Sequence, residues 1–159
     1  MGGIYRLRYY PTPRPDDLML WYLWSCDREG KPQGIYSHDT ALELHELSAW
    51  TANQIHMTVP RHFRRSVVPP KLKLHYVDMV SREITWVRQV PSTTPTRTIL
   101  DLLAAGSVEH HHLVEAMQEA RRRGLLVPTD FKSEELLKDE RESLLALDAE
   151  AKTYLATST

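Results

Sequence analysis

One run of the chain combines strand patterns with a well-marked helix start. Residues 71–106 read KLKLHYVDMVSREITWVRQVPSTTPTRTILDLLAAG. In residues 71–77 every second side chain is apolar or aromatic, a period of two that predicts a strand, and the segment EITWV predicts another. Thr94 followed by Pro95 predicts a helix with a threonine N-cap and a proline in its first turn. Gly106 is expected to end that helix.

Further elements are predicted on both sides of this run. They are strands at residues 3–10, 35–36 and 54–59, and helices at about 15–25, 38–50, 107–124 and 133–154. Ser37 and Ser107 are expected to be the N-caps of their helices. The order of elements predicts an α+β fold, with a small antiparallel sheet flanked by helices and a helical C-terminal part.

The predicted domain organisation has three parts. Residues 1–12 form a strand or connector, residues 13–128 form the α+β core, and residues 129–159 form a charged amphipathic helix. This last helix is expected either to lie on the core or to pair with a second copy of the chain.

Composition places the chain among ordinary globular proteins. It has 159 residues, 26% of them charged, and a net charge of −1. No apolar run approaches the ~18 residues of a membrane span. The single cysteine, Cys26, excludes an internal disulfide and a zinc site of the paired-cysteine type. With no apolar leader at its start, the chain is expected to be cytoplasmic.

The charges are distributed unevenly along the sequence. Residues 51–100 hold eight bases and two acids, whereas residues 129–159 hold four bases and eight acids. The candidate contacts for nucleic acid or another anionic partner are Arg61, Arg64, Arg65, Lys71 and Lys73. A hairpin with arginines at its tip would suit phosphates. The alternative is that the lysines protect an edge strand and that the loop arginines are merely solvated.

The histidines and carboxylates do not predict a catalytic or metal site. Consecutive histidines at residues 110–112 point about 100° apart on a helix, so they cannot converge on one ion. His38 and His45 lie two turns apart, and His56 and His75 lie on strands where they could be neighbours. All four are interpreted as structural. Because nucleophile-elbow and phosphate-loop motifs are absent too, we expect no catalysis, metal or cofactor.

Four segments together resemble a known family. They are residues 3–7 (GIYRL), 36–48 (YSHDTALELHELS), 55–61 (IHMTVPR) and 93–102 (TTPTRTILDL). Their order and spacing are similar to those of the AbiEi-type antitoxins of bacterial type IV toxin–antitoxin systems, over residues 3 to 127. The signature positions are Ser37, His38, His45, Thr94, Pro95, Arg97 and Asp101, and their physical roles are interpreted as architectural.

The resemblance implies a transcriptional regulator that acts by binding. Members of the family carry an N-terminal winged helix-turn-helix that binds and represses their own promoter, and a C-terminal domain that supports neutralisation of a nucleotidyltransferase-like toxin. This chain is expected to begin where the winged helix ends, and it has Glu46 where the family often has glycine. Two alternatives remain open: an interaction or dimerisation module that uses residues 133–154, and a hydrolase or nuclease.

Overall fold

The computed structural model describes residues 18–126, 130–132, 134 and 136–157. The predicted strand at 3–10 and the predicted start of the first helix lie outside these residues. The helices are α1 (Leu18–Trp24), α2 (His38–Leu44), α3 (Pro95–Ala105), α4 (His110–Arg122) and α5 (Lys138–Thr157). The strands are β1 (Ile35–Tyr36), β2 (Ile55–Val59), β3 (Leu72–Tyr76), β4 (Ile84–Val87) and β5 (Val90–Thr93).

The five strands form one mixed sheet in the order β3-β2-β1-β5-β4. Strand β1 is antiparallel to β2 and parallel to β5, whereas β4 and β5 are antiparallel. Strands β2 and β3 are parallel and in register from Ile55↔Leu72 to Val59↔Tyr76. The α+β class is therefore confirmed, and the sheet is mixed instead of wholly antiparallel.

The connection between β2 and β3 explains this difference. Parallel neighbours need a crossover of about a dozen residues instead of a tight turn. Residues 60–71 supply it, and they contain Pro60, Pro69 and Pro70. The segment therefore runs back from the carboxyl end of β2 to the amino end of β3, and the predicted hairpin tip does not exist.

The helix boundaries follow the sequence signals at some ends only. The Thr94 side chain accepts a hydrogen bond from the backbone N–H of Arg97, and Gly106 ends α3 in the left-handed conformation with φ +61°. Ser107, in contrast, does not cap α4, which begins at His110 after Glu109 in the N-cap position. The hydroxyl of Ser107 donates instead to a carboxylate on α2.

Two apolar clusters make up the core, and α2 contributes to both. The helical cluster contains Leu42 of α2 together with buried residues of α3, α4 and α5. The sheet cluster contains Leu44 of α2 and the inner residues of β2, and the partly buried aromatic side chains of α1 pack against it. Helix α2 thus fixes the position of the helical layer relative to the sheet.

Helix α5 packs on this core. The sequence of residues 133–154 predicts one apolar stripe, formed by Leu137, Leu144, Leu147, Ala151 and Tyr154. Leu144, Leu147 and Ala151 are buried in the helical cluster, but Leu137 and Tyr154 are exposed. Most of the apolar stripe proposed for pairing with a second copy is therefore already covered by the chain's own helices. Among the described helices, none combines the length and the apolar content needed to cross a membrane.

Candidate functional site

Three histidines from separate segments meet beside β2 and β3. The parallel register pairs His75 with Thr58, two residues from His56, so both histidines lie on one face of the sheet. His56 Nδ1 lies 3.1 Å from His75 Nε2. The ring of His38, the first residue of α2, stacks on the ring of His75 with 3.7 Å between centroids. One nitrogen from each of the three residues lies within 4.8 Å of the other two.

A buried pair of hydroxyl groups holds the ring of His38 in place. Thr58 Oγ1 donates to Ser37 Oγ over 2.8 Å, and Ser37 Oγ lies 2.9 Å from His38 Nδ1. Ser37 occupies the N-cap position of α2, but its side chain makes no capping hydrogen bond. The predicted capping role of Ser37 is therefore wrong, because its hydroxyl is engaged by Thr58 and His38.

The backbone of His38 is itself unusual. Its φ is +51°, in the left-handed region. That region costs a residue with a Cβ roughly 1–2 kcal/mol, and non-glycine residues held there occur preferentially at ligand sites and switches. The conformation directs the side chain of His38 toward the strands that carry the other two histidines.

Asp39 places a carboxylate next to this cluster. It is only 5% exposed, and its Oδ1 lies 3.7 Å from His56 Nδ1. Its hydrogen-bond donors are two neutral groups, the indole N–H of Trp50 and the hydroxyl of Ser107, each at 3.0 Å. A buried carboxylate with neutral donors favours a positive charge nearby.

The imidazoles are held in their neutral form. Burial lowers the pKa of His38 to about 3, and the neighbouring imidazoles add to this effect. Burial likewise lowers the pKa of His75 to about 4. The pKa of His56 is also lowered, again chiefly by burial, although Asp39 opposes the shift. Near neutral pH, each ring therefore keeps a lone pair for a hydrogen bond or a metal ion.

The sequence alone does not predict that His38, His56 and His75 form one cluster. The proximity of His56 and His75 follows from two strand patterns, but His38 was grouped with His45 because both were assigned to one helix. In the structure, His45 Nε2 instead lies 2.7 Å from the carbonyl oxygen of Thr93, inside the core. The histidines at 110–112 lie apart from the cluster; His110 and His111 are exposed, and His112 packs against Trp50.

The predicted basic residues are distributed over two ends of the sheet. Arg61, Arg64 and Arg65 follow the carboxyl end of β2, whereas Lys71 precedes the amino end of β3. Lys73 lies on β3 and is exposed. The predicted arrangement, a hairpin with arginines at its tip, is therefore wrong, because β2 and β3 are parallel.

Two of these arginines also have structural contacts. The guanidinium of Arg65 donates to the carbonyl oxygens of Trp24 and Cys26, each over 2.6 Å, and lies over the Trp24 ring. Arg64 donates to the carbonyl oxygens of Arg61 and Phe63. The bonds of Arg65 fix the crossover loop against the end of α1. Among the described residues, neither arginine pairs with a carboxylate.

A basic cleft lies between this loop and the turn after α1. The cleft has a volume of ≈ 410 Å³ and is lined by Cys26, Asp27, Arg28, Gln33, His62, Phe63, Arg64 and Arg65. Asp27 is its one carboxylate, and this group accepts hydrogen bonds from the backbone N–H groups of Glu29 and Lys31. Arg28 is not among the anion-binding residues predicted from the sequence, since it lies outside the basic segment at residues 51–100.

The remaining signature positions have architectural contacts. Arg97 binds Asp101 one turn further along α3, with contacts of 2.8 and 2.9 Å. It also reaches Glu140 at 3.0 Å and so joins α3 to α5. Pro95 occupies the first turn of α3. These contacts stabilise the helical layer and lie apart from the histidine cluster.

Comparison with known proteins adds no relative. No protein-family model matches the chain, and no curated protein matches it.

Proposed function

We propose that this chain is the antitoxin-like regulatory domain of a bacterial type IV toxin–antitoxin system. It acts in the cytoplasm by binding, without catalysis. Its anionic partner is DNA of its own promoter, and its action counters a nucleotidyltransferase-like toxin encoded beside it. The proposal rests on the four-segment resemblance and on one structural observation, the basic cleft.

The cleft supports the proposal because its cations have no carboxylate partners. Within the part of the chain that the structure describes, Arg28, Arg64 and Arg65 of the cleft form no ion pair with a carboxylate, and neither do Arg61 and Lys73, which lie outside its lining. In the helical layer, by contrast, carboxylates of the same layer neutralise the arginines: Arg121 binds Asp148 and Arg122 binds Glu119. Arginines presented without carboxylates suit phosphate oxygens, which they bind through paired N–H donors.

DNA binding should respond to salt and to single cations. We expect the protein to shift a fragment of its own upstream DNA, with an affinity that falls by ~0.9 log units per log unit of salt for each phosphate contacted. Arg28→Gln is the informative variant, because Arg28 lines the cleft and its side chain makes no hydrogen bond to any other residue that the structure describes. It should weaken binding and lower the salt slope by about one contact.

A matched control is Arg122→Gln. Arg122 is exposed and lies on α4, where Glu119 is the one partner of its guanidinium among the described residues. This variant should bind DNA like the wild type. Equal loss in both variants, or a shift that does not depend on salt, would contradict DNA binding by the cleft.

The antitoxin function is tested by growth. The chain should restore growth of cells that express the toxic reading frame next to its gene. Failure to rescue, or a harmless neighbour, argues against this function. A loss of DNA binding with retained rescue would separate repression from neutralisation.

The dimerisation alternative is tested separately. The exposed side chains on α5 include Leu145 and Tyr154. If a homo-oligomer uses residues 133–154, Tyr154→Ser should lower the mass measured by light scattering. A monomeric wild-type chain excludes this alternative.

A further inference from the structure

We propose that His38, His56 and His75 bind a divalent transition-metal ion of the zinc class. The site would bind the ion through three imidazole nitrogens and leave a fourth position for water or an exchangeable ligand. The proposal does not depend on the antitoxin function.

The distances fit such an ion. Zinc–nitrogen bonds of ~2.0–2.1 Å in a tetrahedral arrangement place two ligand nitrogens ~3.3 Å apart. His56 Nδ1 and His75 Nε2 are 3.1 Å apart. His38 stacks on His75, so the two rings must move apart slightly for Nε2 of His38 to converge with the other two nitrogens while its Nδ1 stays on Ser37. All three donors already lie within 4.8 Å of one another, so no backbone movement is needed.

The groups around the histidines match those that surround bound metals. A histidine ligand typically donates its second ring N–H to an oxygen, which fixes the tautomer and orients the ring. Ser37 Oγ stands 2.9 Å from His38 Nδ1 and is itself held by Thr58. With Nδ1 donating to Ser37, Nε2 of His38 is the nitrogen left to bind the ion.

Charge balance also favours a cation. Asp39 is buried beside His56, and its bonded donors are neutral. The neutral imidazoles bring no positive charge to it. A divalent ion at the three nitrogens would supply that charge. The ion would attract the Asp39 carboxylate, whose Oδ1 lies 3.7 Å from the proposed ligand atom, His56 Nδ1.

Lys73 places a positive charge beside the three histidines, which disfavours a bound cation and offers a further test of metal binding. It pairs with His56 across the parallel ladder and is exposed. Its ammonium group repels a second cation, although its flexible stem lets it turn toward water. Lys73→Gln should therefore tighten metal binding, whereas removal of a ligand should weaken it.

The experiment uses the full chain, stripped with a chelator and titrated with zinc against a chromophoric competitor. We expect one ion per chain and a rise in thermal midpoint on adding zinc. Cobalt should give the intense visible absorption of a tetrahedral site. His38→Asn and His75→Gln should each weaken zinc binding by at least tenfold. Tenfold is the smallest loss typical of removing a residue that only hydrogen-bonds a ligand, so removing a ligand should cost no less. Asn at position 38 tolerates the left-handed backbone, so the fold should be kept.

The matched control replaces His110, His111 and His112 by alanine. These neighbours on α4 are the histidines most apt to hold zinc adventitiously, and the triple variant should bind like the wild type. The proposal is overturned if the wild type binds no zinc, or if the triple variant alone loses it. It is also overturned if both ligand variants keep their fold, judged by circular dichroism, and bind zinc as tightly as the wild type.

Discussion

Replacing Glu46 by glycine should leave the protein more stable than replacing it by alanine, because Glu46 occupies a backbone position suited to glycine. Its φ is +53°. The N–H of Glu46 donates to the carbonyl oxygen of Glu43, and the N–H of Leu47 donates to that of Leu42. These two bonds form a Schellman motif at the end of α2, in which glycine is the preferred residue at the left-handed position.

The size of the effect follows from two opposing contributions. The left-handed conformation costs a residue with a Cβ roughly 1–2 kcal/mol. Glycine removes that cost but loses about 0.5–1 kcal/mol more backbone entropy on folding. At the centres of these two ranges the net gain is ~0.75 kcal/mol, which corresponds to ~1.5–3 °C in the thermal midpoint of a chain of this length.

A second variant isolates the backbone contribution. Glu46 binds Arg88 at 2.6 Å, but both side chains are more than 60% exposed, so the pair contributes only ~0–1 kcal/mol. Glu46→Ala loses the same pair and keeps the Cβ. Urea unfolding should find Glu46→Gly more stable than Glu46→Ala by the net amount. Equal stability of these two variants would refute the reasoning.

Three other perturbations test separate parts of the fold by denaturant unfolding. Thr94→Ala should cost about 1 kcal/mol through loss of the cap on α3, whereas Thr94→Ser should be close to wild type; equal losses would mean that the cap is unimportant. Gly34→Ala should cost ~1–3 kcal/mol, since the added Cβ would lie 2.2 Å from Sδ of the fully buried Met57. A neutral Gly34→Ala would show that Met57 can move aside. Burial lowers the pKa of His45, so the unfolded state takes up a proton first as the pH falls below about 6.5, and folding stability then decreases. His45→Gln should therefore show a shallower loss of stability between about pH 7 and pH 5, and an unchanged slope would exclude this linkage.

The local elements were predictable where the signal lies within a few residues. Thr94, Pro95 and Gly106 mark the two ends of α3 without any help from the rest of the chain. Strand β5 is not among the elements predicted from the sequence, because Pro91 lacks the backbone N–H that a sheet ladder uses. In the structure this proline stands in the strand, paired with Trp86.

Strand direction and the histidine cluster were not predictable in the same way. The patterns of β2 and β3 define their faces but do not say that the 60–71 segment crosses over, so the parallel pairing was not found. The cluster needs that pairing together with the left-handed backbone of His38. Neither feature leaves a periodic signal in the sequence, and the three histidines come from segments up to 37 residues apart.

The sheet is narrowest at its centre. Strand β1 has two residues, which join the β2–β3 pair through two positions and the β5–β4 pair through one. Because β1 makes so few pairings, the β2–β3 pair and the β5–β4 pair can open as separate cooperative units, which amide hydrogen exchange would detect. Because only Ser37 separates His38 from β1, an ion that binds His38, His56 and His75 would hold β1 against the β2–β3 pair. Exchange at β1 would then slow together with exchange at β2, and the metal would set the size of the unit that opens.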